Sequence, residues 1–205
     1  MAGLLPRCAR CTGFLLAPSL LRTEEMCMPA QAHPLEPFFH HEVTATFEGK
    51  LGLNDPEIAA YIAKVLCSFS ETDRLFLSPG VAGHSRDELQ SMMLAADPVH
   101  GSAPSFDAER SMRKYIGDYA LFVTGMLPEA IGTDPASRTN RPTIGELIRS
   151  GKESYHIVSQ FNVFEYKKEA PLFSRLSEQF ERYVLGLALV REELGKRLAL
   201  APPAN

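Results

Sequence analysis

The chain has 205 residues, enough for one domain with a substantial core. A hydrophobic share of 45% and a charged share of 22% are ordinary for a globular protein. The formal net charge of −4 argues against a general nucleic-acid binder, and no apolar run approaches the roughly 20 residues of a membrane-spanning helix.

Residues 1–34 differ from the rest. Arg7, Arg10 and Arg22 are the only charges before Glu24, and residues 12–21 form a short apolar run. A secretory signal would use Ala30-Gln31-Ala32 for cleavage, but Pro18 breaks the run and Glu24 and Glu25 crowd the site. A transit peptide fits only the Arg-rich, acid-poor start. The favoured reading is a disordered tail or an over-extended start, with Met26 or Met28 as the true initiator. Cys8 and Cys11 form one CxxC, which only Cys27 and His33 complete on paper as a zinc set. Cys67 falls in a helical pattern as a small buried hydrophobe. Nothing suggests a disulfide framework, so a cytoplasmic location is the expectation.

From residue 35 the chain is legible as helices. Phe39, Val43, Phe47 and Leu51 sit four apart, which outweighs the β propensity of Val43 and Thr44 and predicts a helix over 37–51. Asn54-Asp55-Pro56-Glu57 is a helix start, followed by Ile58, Tyr61, Ile62, Val65, Leu66 and Phe69 to about Ser70. Ser78-Pro79-Gly80 breaks the chain. Ser85 with Glu88 is a capping box for a helix to about Ala96, burying Leu89, Met92 and Met93. Ser105 caps a helix from Phe106 to about Leu127. Its first half should face Glu109, Arg110, Arg113 and Lys114 outward.

The second half, residues 115–129, is apolar nearly all round, so it should be buried. Asp118 is its only charge before Pro128. Residues 131–142 form a polar loop. Thr143 and Glu146 make a second capping box, with Ile144, Leu147, Ile148, Tyr155, Val158 and Phe161 as the stripe. Gly151 within it costs about 1 kcal/mol against alanine, so another helix should approach there. Residues 162–170 are a linker. Pro171 opens a single last helix, with Phe173, Leu176, Phe180, Tyr183, Leu187, Val190 and Leu194 in a 3-4-3-4 rhythm widened by Leu172, Val184 and Leu198. Glu178–Arg182, Glu192–Lys196 and Glu193–Arg197 are acid-first pairs four apart.

The sum is an all-α, single-domain irregular bundle of about six helices. Residues 1–34 are the tail or mis-assigned start, 35–200 the helical domain, and 201–205 a second tail. Four segments make the chain resemble a family of uncharacterised bacterial helical proteins: residues 61–76 ending in TDRLF, residues 115–129, GKESY at 151–155, and residues 172–193. The resemblance covers roughly residues 38–198. It implies the all-α fold and no known activity.

A lone acid on a buried helix must be paired, hydrogen-bonded or neutralised. The candidate polar cluster is Asp118 with Arg74, Lys152, Tyr155 and His156. A structural pair or hydrogen-bond hub is favoured over a catalytic or ligand-binding carboxylate. Glu153-Ser154-Tyr155-His156 is a Glu-x-x-His of the di-iron type, but no second copy exists, so Glu153 and His156 are weak metal candidates. His84 with Glu88, and His40-His41-Glu42, are read as surface or capping groups. No G-x-S-x-G or standard phosphate-binding motif occurs, and no cofactor is expected. The expectation is a non-enzymatic helical module that binds itself or another protein, with no nucleic-acid or membrane partner. The alternative is a sensor or enzyme with a pocket around Asp118, with a metal on His156.

Overall fold

The computed structural model describes residues 33–71, 84–133 and 140–200. Arg74, Cys8, Cys11, Cys27, the 78–80 breaker, residues 1–32 and 201–205, and the Leu198 side chain lie outside the described residues. Seven α-helices are described: α1 (Glu36–Thr46), α2 (Pro56–Glu71), α3 (Arg86–Ala95), α4 (Phe106–Met126), α5 (Ile144–Gln160), α6 (Ala170–Glu178) and α7 (Phe180–Leu200). Among the described residues there is no strand, only an isolated bridge between Gly132 and Thr143. The all-α expectation holds, and no described helix is long and apolar enough to cross a membrane.

The helix starts follow from capping chemistry. Asp55 Oδ1 accepts the Ile58 N–H at 3.2 Å, and Ser105 Oγ accepts the Ala108 N–H at 3.1 Å. Ser85 and Glu88 bond reciprocally at 3.2 and 2.7 Å, and Thr143 and Glu146 at 3.3 and 2.7 Å. Each pair satisfies backbone donors that a helix start leaves open.

Two elements depart from the simple periodic reading. The first helix runs through residue 51, but its last turn, Phe47–Leu51, widens to a π-helical turn. Phe47 there stacks on Tyr183, ring centroids 6.1 Å apart. The last helix is two, parted at Gln179, whose backbone opens to φ −111 and ψ 23. The 3-4-3-4 rhythm runs through the break: Phe173, Leu176, Phe180, Tyr183, Leu187 and Val190 are all buried. That stripe faces this chain's own core.

α4 is the axis, packed against α5 and α7 and buried from Ile116 through Met126. Two glycines set how closely α5 approaches its neighbours. A Cβ on Gly151 would lie 2.4 Å from Phe180 Cζ and 3.0 Å from Ala120 Cβ, and one on Gly117 would lie 2.5 Å from the Tyr155 ring. The approach expected at Gly151 is therefore present. Both glycines trade helix propensity for ring-to-backbone packing.

The polar half of α4 corrects an expectation. Glu109, Arg110 and Arg113 are buried, where a solvated face was expected. For Glu109 and Arg110 the cause is the segment 164–170, which folds back over the start of α4. The Arg110 guanidinium sits 4.0 Å from the Tyr166 ring centroid and pairs with Glu169. Arg113 reaches Met93 Sδ at 3.5 Å and Glu153 at 3.6 Å. Arginine stems bury well against apolar and aromatic surface, which a polarity pattern does not register.

Smaller corrections follow the same logic. Ile144, expected on the stripe, is exposed at the first turn of α5. Glu42, expected at the surface, is buried and takes Arg197 at 2.6 Å, while Glu193 pairs with Lys50 at 2.6 Å and with Lys196 at 3.1 Å. The intrahelical pair Glu193–Arg197 gives way to the tertiary pairs Glu42–Arg197 and Lys50–Glu193. Glu192–Lys196 forms at 2.8 Å; Glu178 takes Ser174 instead of Arg182.

Candidate functional site

Asp118 lies where α2, α4 and α5 converge. Its Oδ1 accepts the hydroxyls of Tyr61 at 2.5 Å and Tyr155 at 2.7 Å, and its Oδ2 accepts Lys114 Nζ at 2.8 Å. Tyr155 is fully buried, and Lys114 also lies 5.1 Å from the Tyr61 ring centroid. The rings of Tyr61, Tyr155 and Phe173 pack edge-on or tilted, with centroids 5.4 to 6.4 Å apart. Burial, followed by the neighbouring Asp118 charge, pushes both phenols well above their ordinary value of 10.0. They stay protonated as donors, so each carboxylate oxygen has its own hydrogen-bond donors.

Of the described residues expected around Asp118, only Tyr155 is there. Lys152 turns to Glu181 at 2.8 Å, and His156 is exposed. Arg74 falls outside the described residues. The acid is instead served by Tyr61 from α2 and by Lys114, one turn earlier on its own helix. Lys114 was available from spacing, since residues four apart on a helix are neighbours. Tyr61 carried no sequence signal beyond its place on the buried face of α2.

Among the described residues no three His, Cys, Asp or Glu side chains converge as a metal set. Glu153 faces Arg113, so Glu153 and His156 gain no third ligand there. His84 meets Tyr115 Oη at 3.0 Å and Glu88 at 3.7 Å, a surface cluster beside the α3 cap.

The other candidate is a groove of about 740 Å³ between the start of α4, the end of α5 and the turn at 164–168. Phe106, Ile157, Phe161, Val163 and Phe164 give it an apolar wall. Asp107, Glu109 and Glu165 put carboxylates in the same lining. Phe164 is 88% exposed and Phe106 73%. Phe164 also holds φ +49, a left-handed backbone that bulky residues avoid. The turn that carries it is clamped. Tyr166 donates its hydroxyl to Asp107 at 2.9 Å and stacks under Arg110, which pairs with Glu169. Strain of this kind persists only where the surroundings over-determine it, and it concentrates at binding sites. The exposed ring is thus presented from a fixed frame.

Sequence reading missed this groove. Residues 162–170 show neither a helical nor a strand period, so they read as a linker. Phe161, Val163 and Phe164 together after a helix end were the available sign.

Compared with family models, curated proteins and solved structures, the chain matches none.

Proposed function

We propose that the protein is a non-enzymatic helical module that works by binding another protein through the groove at Phe106 and Phe164. The observation that carries this is Phe164: an aromatic side chain left in solvent on a backbone conformation it disfavours, from a turn clamped on both sides. Exposed aromatic anchors beside a preformed apolar concavity are the usual core of a protein interface. Asp118 supports the fold instead, because its oxygens are already taken by Tyr61, Tyr155 and Lys114. The groove's lining favours a different protein over a second copy. A symmetric pairing would set Asp107, Glu109 and Glu165 against their own equivalents. A reducing cytoplasm is part of the same proposal, on cysteine usage. The resemblance to bacterial helical proteins brings no activity to it.

The test is affinity capture from the native host with wild-type protein and with the Phe106→Ala/Phe164→Gly variant, alongside light scattering. Near-stoichiometric recovery of one protein by wild type, lost in the variant, is the expected result. Equal recovery by both would overturn the groove as the binding surface. A concentration-dependent dimer lost in the variant would replace the partner with a second copy.

A further inference from the structure

The groove's charges narrow what can occupy it. Three carboxylates line it and no lysine or arginine does. Asp107 is engaged by Tyr166, and Glu165 stands in solvent. Glu109 differs from both. The residue as a whole is only 8% exposed, its carboxylate oxygens open on the groove, and no hydrogen bond or ion pair reaches them from the described residues. The next residue, Arg110, is held by Tyr166 and Glu169. A carboxylate that has no partner of its own and stands in an apolar lining can pair with an incoming cation.

We infer that the groove takes a segment of a partner protein carrying a lysine or arginine beside an aromatic or aliphatic anchor. The cation pairs with Glu109, and the anchor fills the apolar space against Phe161 and Phe164. This rests on the reading of the chain as an interaction module. The two features demand each other. A small cation alone would satisfy Glu109 but leave the apolar wall in water. A purely apolar segment would seal Glu109 away from water without a partner, at a cost that weakens binding.

The experiment selects binders from random peptides displayed on phage, using the full chain as target. Synthetic peptides of the selected consensus are then titrated into wild type, Glu109→Gln and Phe164→Gly. The selected sequences should join an anchor residue to a lysine or arginine. Binding should fall about tenfold or more in Glu109→Gln, the range of a close charge pair. Replacing the peptide's basic residue with norleucine should cost the same factor in wild type and nothing further in Glu109→Gln. Unbound Glu109→Gln should melt as wild type does, because the carboxylate makes no bond in the free protein.

Consensus peptides without a basic residue, binding indifferent to Glu109→Gln, or a clearly lowered melting temperature for that variant would each overturn the charge assignment. If such peptides still lost binding in Phe164→Gly, the interaction reading would stand without it. Peptides indifferent to Phe164→Gly, or a selection that yields no binder, would overturn both.

Discussion

Asp118 holds three helices through one carboxylate, and the consequence of removing it depends on what is stranded. In Asp118→Ala the Tyr155 hydroxyl stays buried without an acceptor and that of Tyr61 nearly so. Lys114, partly exposed, can turn to water. The expected loss is about 2–4 kcal/mol in denaturant melts, one to two unsatisfied buried hydroxyls. Asp118→Asn keeps an acceptor for the phenols and should lose only about 1 kcal/mol. Equal melts for wild type and Asp118→Ala would show that the hub carries no stability.

The same phenols set a pH dependence. Their folded values lie well above 10.0, and burial pushes Tyr119 up to about 12. Above the ordinary value the unfolded chain gives up phenolic protons that the folded one keeps. Stability from these groups is therefore complete below pH 10.0 and is lost as pH rises through the folded values. Equilibrium melts across the alkaline range should show that decline, steeper than in Tyr155→Phe. At the groove, Phe164→Gly should leave stability unchanged or raise it, by up to about 1 kcal/mol, since the exposed ring packs on little and glycine accepts positive φ. A large drop would mean that the ring serves the fold.

At the scale of elements, α4 and α5 are fitted by absence of a side chain. Gly151→Ala would drive a methyl into Phe180 and Ala120, neither of which has room to move. It should cost about 1–3 kcal/mol in chemical melts, the usual cost of overpacking. Gly195→Ala on α7 meets nothing within 4 Å and should stabilise by about 0.5–1 kcal/mol. Equal effects at the two sites would contradict the packing account.

These elements also show what was legible in the chain. The buried half of α4, the capping boxes at Ser85 and Thr143, and the approach at Gly151 follow from local pattern, because the pattern is their physical cause. Glu109, Arg110 and Arg113 did not, although Arg110, Arg113, Gly117, Ala120 and Thr124 continue one face at alternating three and four spacing. Glu109 and Arg110 are covered by a segment more than fifty residues later, and Arg113 by Met93 and Glu153, contacts that no local period records. Lys152 and His156 failed as partners of Asp118 for a related reason. Residues near Tyr155 in sequence point elsewhere around the helix, to Glu181 and to solvent.

For the molecule as a whole, the fold and the surface divide between two regions of α4. The later half, with Asp118, is closed off by α2, α5 and α7. The first turns, with Phe106 and Glu109, open into the groove beside Phe164. Function assigned to the groove should be separable from stability assigned to the hub, and light scattering should find the isolated chain monomeric. The most direct measurement is a map of backbone amide shifts as a selected peptide is titrated into the labelled protein. The account predicts that shifts gather at residues 105–109 and 157–166, with Tyr61, Lys114 and Tyr155 undisturbed. Shifts centred on Asp118 and its partners, or on the exposed face of α7 around Leu185, would contradict it.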